Sequence, residues 1–284
     1  MSNISKMEKD KLKSQGILPQ KQDGYFSFRI LSKAGNFTSK EMILLSNIAE
    51  QYGKGYLGLT SRLTIEIPYI QYKDIEIVKK EITDNNLIVG GAGNTVRAIT
   101  ACKGTTCTHG LIDTQNLAME IHNKFFGRHL PGKFKIAVVG CSNSYGKVLV
   151  NDIGILPLAN IDINDNECIL CEKCTKVCPA SALTKENKKI NYNKDKCIHC
   201  ERCVKACQFH AISTSSDSFK IFIGGKLGKK FHSAKSLNKI FNKEELIPMI
   251  EKILDFYNEN GQPSERFADT IERIGFKEVE KSLL

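Results

Sequence analysis

The chain has 284 residues, 41 Lys and Arg against 31 Asp and Glu, a formal charge of +10 and 41% hydrophobic residues. That length and apolar content suit one large core or two modest ones and exclude a disordered chain. There is no 18-residue apolar run and no apolar N-terminal stretch, so the expectation is a cytoplasmic protein without a membrane span. The basic excess points to an anionic partner: a small oxyanion, a carboxylate-rich cofactor or an acidic electron donor. The lysines are scattered and no aromatic–basic recognition motif occurs, so no nucleic acid is expected.

Taken along the chain, residues 1–20 read as a polar extension and 21–92 as a first α+β unit. Residues 23–32 alternate and carry aromatics, which predicts a strand. Thr38 and Glu41 form a capping box, followed by Ile43, Leu44, Ile48 and Ala49 at helical spacing and by Gly53 as a stop. Residues 56–68 predict a strand, 72–84 a helix and 86–90 a short strand. This β-α-β-α-β order suggests a ferredoxin-like unit. A second α+β unit spans 93–159 and 216–284, with helices over 113–126, 243–257 and 264–274 and strands over 135–139, 148–158 and 219–223. Polar runs on both sides mark 160–215 as an insert. The insert is an internal repeat, because Cys168 and Cys197 begin equivalent halves.

Eleven cysteines in a chain expected in the cytoplasm argue for metal ligation over disulfides. Eight of them form two C-x2-C-x2-C-x3-C runs, Cys168-Cys171-Cys174-Cys178 and Cys197-Cys200-Cys203-Cys207. In such tandem runs three thiolates hold one cubane and the fourth ligates the other. The expected sets are Cys168, Cys171, Cys174 and Cys207 for one [4Fe-4S] cluster, and Cys197, Cys200, Cys203 and Cys178 for the second. Single zinc ions rarely use two such runs in tandem. The insert thereby resembles bacterial two-cluster ferredoxins. The glycines Gly90, Gly91 and Gly93 do not fit a dinucleotide fingerprint, which sets nicotinamide aside.

Cys102 and Cys107 lie in T-A-C-K-G-T-T-C-T-H-G, and Cys141 lies in V-V-G-C-S-N-S-Y-G-K. With these segments the chain, from about Asp23 to Gly228, resembles the sirohaem-dependent sulfite and nitrite reductases, above all the small ferredoxin-fused anaerobic type. The resemblance implies a third [4Fe-4S] cluster on Cys102, Cys107 and Cys141, adjoining a sirohaem. Two departures stand out. The first cysteine pair is spaced by four residues instead of five, and Tyr145 occupies the position of the bridging cysteine. A phenolate can ligate haem iron. The resemblance further implies Arg62, Arg97, Lys133 and Lys135 as substrate-binding residues. Asn143, Tyr145 and Lys147 would lie at the cofactor, as would Lys226 of the G-G-K segment, with Lys229 and Lys230 near it. His109 reads as structural.

The implied fold is a ferredoxin-like half-domain plus a reductase-like α+β unit carrying the insert. The implied function is oxyanion reduction, of sulfite or less readily nitrite. Electrons would come from a reduced donor protein or partner redox subunit and pass through the insert to the third cluster and sirohaem. Larger members carry two copies of the repeat, so a homodimer or hetero-complex is expected. Two alternatives stay open: a sirohaem-free relative with an open three-cysteine cluster, and an electron-transfer subunit in which only the insert works.

Overall fold

The structure is a computed structural model and describes residues 4–284. Among the described residues it shows two larger sheets and a cysteine-rich extension with a two-stranded sheet of its own. The first unit contains α1 (Lys6–Ser14), β1 (Ile17–Pro19), β2 (Tyr25–Ile30), α2 (Ser39–Tyr52), β3 (Gly58–Leu59), β4 (Ile65–Gln71) and α3 (Ile75–Asp84). Its antiparallel sheet has the order β1-β2-β4-β3. Alternation aims Phe26, Phe28 and Ile30 of β2 and Ile65 and Ile67 of β4 inward, where Leu45, Ile48 and Ala49 of α2 and Ile75, Val78 and Ile82 of α3 cover them. The Thr38 capping box forms in both directions, at 3.2 and 2.7 Å.

Three features of this unit differ from the sequence reading. Positions 1–3 of the expected N-terminal extension lie outside the described residues. From Lys6 onward that segment is a helix and an edge strand, with Leu12 and Ile17 buried in the first core and Ile17 opposite Phe28. The expected strand over 56–68 is two strands separated by a turn. Thr60 N–H donates to Thr64 O at 3.0 Å, the two threonine hydroxyls meet at 2.6 Å, and Leu63 takes φ +61°. The expected strand over 86–90 makes only the Ile30–Val89 bridge.

The second unit contains β5 (Thr100–Ala101), α4 (Thr114–Phe125), β6 (Ile136–Val138) and β7 (Ile153–Ile163). The extension follows with α5 (Lys173–Val177), β8 (Leu183–Glu186), β9 (Lys189–Tyr192) and α6 (Arg202–Ala206). The chain then returns through β10 (Ile212–Ile223), β11 (Lys235–Ser236), β12 (Phe241–Asn242), α7 (Lys243–Asn260), α8 (Phe267–Ile274) and α9 (Phe276–Leu283). The main path of the sheet is β11-β10-β7-β6-β5, with β12 also on β10. β5, β6 and β7 run parallel and β7 pairs antiparallel with β10. One core unites α4, α7, α8 and α9 with Ile136, Val138, Ile153, Ile155, Phe219 and Ile221.

β7 and β10 are longer than expected, pairing from Ile153–Ile223 to Ile163–Ile212. Their near halves belong to the large core, while Ile161, Ile163 and Ile212 pack in a small core with Leu183, Ile190, Cys174 and Cys203. The insert therefore grows from a continuous ribbon and not from a surface loop. Among the described residues no helix is long and apolar enough to cross a membrane.

Candidate iron-sulfur and oxyanion site

Within the extension the backbone curls identically in both halves. Leu170 and Glu172 precede Cys174 at φ +57° and +62°; His199 and Glu201 precede Cys203 at +55° and +58°. Non-glycine residues adopt this left-handed region at a cost, so a pair repeated at equivalent places marks a functional loop. The result is two small cavities. Cys168, Cys171, Cys174 and Cys207 line one; Cys178, Cys197, Cys200 and Cys203 line the other. Burial pushes the Cys174 thiol up and the Cys203 thiol up to about 11. A bound cation would reverse that preference, since coordinated thiols lose their proton.

Each of these two cavities gathers four thiols, a donor set of the kind that holds a [4Fe-4S] cubane.

Cys102, Cys107 and Cys141 are brought together by glycine packing. A Cβ on Gly110 would lie 1.9 Å from Gly104 O, and one on Gly140 would lie 2.9 Å from Gly104 Cα. Backbone therefore packs on backbone, which only glycine permits. Leu111 N–H donates to Gly140 O at 2.8 Å, and Gly140 N–H donates to Cys102 Sγ at 3.1 Å. The three cysteines line one cavity of about 560 Å3, which Arg62, Lys103, Lys135, Asn143, Tyr145 and Lys147 also line. His109 and Asn151 also belong to its polar wall, and among the described residues no carboxylate lines it.

Arg62 sits in the β3–β4 turn and reaches across to the second unit. It donates to Ala98 O at 2.5 Å, Asn151 Oδ1 at 3.1 Å and Ile136 O at 3.4 Å, leaving its buried Nε–H without a partner. Burial lowers its pKa to about 10, reinforced by Arg97, Arg266 and Arg29. Lys135 is depressed further, to about 8, by burial and by Arg62 and Arg266. Arg97 and Lys133 lie outside the cavity lining. Arg97 donates to Gly91 O and, at 2.7 Å, to Gly93 O, and burial lowers it to about 10. Lys133 is lowered by burial, Arg266 and Arg97. Lys226 also lies outside: its ammonium is held by both oxygens of Asp269 at 2.6 and 2.7 Å, beside His232. Tyr145 is 83% exposed at the cavity mouth.

Sequence reading missed the residue that organises this charge. Asp152 is fully buried. It accepts from Arg266 at 2.8 and 3.0 Å and from Lys135 N–H at 2.9 Å. Its only sequence signal is a lone carboxylate opening the apolar strand I-G-I-L. Lys103, which ties the cysteine loop to Gly35 O at 3.0 Å, was missed as well.

The chain has counterparts among known proteins. Residues 92–283 match the family model for the nitrite and sulphite reductase 4Fe-4S domain, and residues 18–85 match the nitrite/sulfite reductase ferredoxin-like half domain. The chain belongs to the nitrite and sulphite reductase family. It is 34% identical over 267 residues to a coenzyme F420-dependent sulfite reductase of Methanocaldococcus jannaschii, covering 92% of this chain but 42% of that protein. It is 33% identical over 263 residues to an uncharacterised protein of the same organism, covering 93% and 92%. One subunit of the anaerobic sulfite reductase of Salmonella typhimurium is 29% identical over 157 residues, 48% of this chain and 44% of that one. Among solved structures the fold is similar to dissimilatory sulfite reductase I, with a TM-score of 0.75 at 18% identity, covering 91% of this chain and 69% of that one. It is also similar to NirA of Mycobacterium tuberculosis, with a TM-score of 0.70 at 13% identity, covering 99% and 46%. The family is one of oxidoreductase enzymes with [4Fe-4S] chemistry, and these likenesses bear out the α+β fold class.

Proposed function

We propose that this chain reduces a small oxyanion, sulfite before nitrite, with electrons passed through two [4Fe-4S] clusters in the insert to a third on Cys102, Cys107 and Cys141. The observation that carries the reading is the 560 Å3 cavity, where three cysteines meet Arg62, Lys103, Lys135 and Lys147 with no opposing carboxylate. Such a field concentrates anions. Sirohaem beside the third cluster would supply the multi-electron chemistry when bound, and its acidic rim would suit the same lysines. The relatives with the higher identities that carry a named activity are sulfite reductases, while others are nitrite reductases, which supports putting sulfite first. An acidic donor or partner redox subunit would load the insert.

The chain's own groups divide the work by charge and protonation. Arg62 keeps its charge at the cavity wall, so its field would hold the anion. Lys135, at about 8, is mostly protonated at neutral pH yet releases its proton readily. Such a group suits general acid catalysis. It would donate one proton from Nζ to a substrate oxygen, which leaves as water once a second proton from solvent and two electrons originating in the reduced donor are supplied. Arg97 and Lys133 act from behind, holding the Arg62 and Lys135 proton affinities down. Tyr145 places a hydroxyl where the family has a bridging thiolate.

The test is anaerobic purification followed by an absorption spectrum, iron and tetrapyrrole quantification and sulfite-dependent oxidation of a reduced viologen. About twelve irons per chain, by four per cluster, with extractable tetrapyrrole and turnover are expected. About eight irons with no turnover would overturn the reading in favour of an electron-transfer subunit. Twelve irons without tetrapyrrole would leave a sirohaem-free open-site cluster.

A further inference from the structure

The two halves of the insert repeat each other closely, yet two wall positions differ in chemistry. Aligned on their cysteines, Ile163 corresponds to Tyr192 and Leu170 to His199. Ile163 lines the cavity of the Cys168 set; Tyr192 and His199 line that of the Cys197 set. One cysteine pocket thus has aliphatic groups where the other has a phenol and an imidazole. The Tyr192 hydroxyl stands beside the Cys197 thiol. The backbone N–H of His199 donates to Cys197 Sγ at 3.3 Å and that of Ala182 to Cys178 Sγ at 3.2 Å, so the side chains add the Tyr192 hydroxyl and the polar His199 ring to these amides. Hydrogen bonds to cluster sulfurs and local polarity raise a cluster's reduction potential.

The same pocket is the one closer to the reductase core. Ala159 lines the Cys197-set cavity, and Ile163 lines the other. Both belong to β7, which leaves the core at Ile153. Ile161 lines the Cys197-set cavity as well, so two to four residues of strand at ~3.3 Å each put the Cys168 set ~7–13 Å farther out. The His199 ring bonds Ala159 O at 3.0 Å and so fastens this pocket to the ribbon. Lys205 Nζ donates to Thr108 O at 2.7 Å, one residue past Cys107.

We propose that Tyr192 and His199 set the inner insert cluster above the outer one in potential, so that electrons within the insert run one way, from the Cys168 set to the Cys197 set. Each transfer moves one electron. The outer cluster, reduced by a low-potential one-electron donor, returns to its oxidised state as the inner cluster is reduced, and no bond or proton changes. Tyr192 and His199 are positioning residues in this scheme. The inference rests on the functional reading above only for the presence of two clusters in the insert.

The test is an electron paramagnetic resonance redox titration of the full-length anaerobic holoprotein, with iron counted on each sample. Wild type should show two insert signals that titrate separately. The Tyr192→Phe/His199→Leu variant should lower the higher potential and narrow the gap. A tenfold shift in the electron's distribution between the clusters reads as 59 mV for one electron. The reverse exchange, Leu170→His, alters the other half and should narrow the gap from below, which keeps the test decisive if the double variant loses iron. Two insert signals that titrate together in a twelve-iron wild type, or a gap unmoved by either exchange, would overturn this inference and leave the functional reading standing. An insert holding fewer than about eight irons, at four per cluster, would overturn both.

Discussion

Replacing Asp152 with asparagine tests the electrostatic logic of the site at its centre. The side chain is fully buried and pairs with Arg266, itself 11% exposed. It is the carboxylate that holds Arg62, Lys133 and Lys135 up against their basic neighbours. Asparagine keeps the shape and the acceptor but removes the charge. Breaking a buried pair costs 3–5 kcal/mol, and the retained hydrogen bonds put Asp152→Asn near the low end, about 3 kcal/mol. At ~2.1 cal/mol/K of unfolding entropy per residue, the whole chain gives ~0.6 kcal/mol/K, so the melting temperature should fall by about 5 °C. Lys135 should also fall further below about 8, moving the alkaline limb of activity to lower pH. Anaerobic thermal melts and a pH–rate profile read the two effects. Adding Arg266→Met to Asp152→Asn should cost less than Arg266→Met alone, because the charge it removes is already unpaired. A melting shift under about 1.5 °C with an unmoved limb would refute the reasoning.

Four further outcomes are expected. Cys102→Ser should lower the iron content from about twelve to about eight per chain; an unchanged count would remove Cys102 from the ligands. In wild type, sulfite-dependent activity should decline as pH rises through about 8, because in the proposed reaction protonated Lys135 is the form that holds and protonates the anion. Lys135→Arg keeps its charge above that pH, so the rise of KM across this range should disappear while kcat drops; a KM limb that persists would assign it to another group. Tyr145→Cys should alter the visible spectrum if residue 145 meets the cofactor iron, and an unchanged spectrum would sink that idea. Leu12→Ala, at a position 5% exposed, should cost about 2–5 kcal/mol in denaturant unfolding; a loss under about 1 kcal/mol would show that the N-terminal helix is not part of the core.

Much of the fold was legible because it follows local rules. The Thr38–Glu41 box and the 3.6-residue spacing of Ile75, Val78 and Ile82 act within one or two turns, and the structure has helices there. The failures came from long-range partners. Residues 6–19 look like a polar leader because α1 and β1 together bury little beyond Leu12 and Ile17, and only the β2 edge gives Ile17 a mate. The stretch over 56–68 reads as one strand because the Thr60 and Thr64 hydroxyls that close its turn are also β-formers. The ribbon over 153–163 and 212–223 reads as shorter than it is because its outer half is polar on the solvent side.

The site divides in the same way. The cysteines announce themselves by spacing, since a cubane demands thiolates at close, fixed intervals. The basic groups do not, because a surface arginine and a buried one look alike in a strand pattern. Arg62 matters through a turn that swings it away from the first sheet and onto Ala98 and Asn151 of the other unit. Asp152 matters because it is the one carboxylate on which Arg266, Lys135 and, at longer range, Arg62 depend. None of these pairings is local: Arg62 and Asn151 are 89 positions apart, Asp152 and Arg266 are 114 apart. A basic cavity that must hold an anion needs enough buried negative charge behind it to keep its own cations folded, and too little in front to compete with the substrate. Asp152 meets both conditions, lying behind Lys135 and absent from the cavity wall. That division of charge is a property of the assembled core, so it becomes readable only once the two sheets are in place.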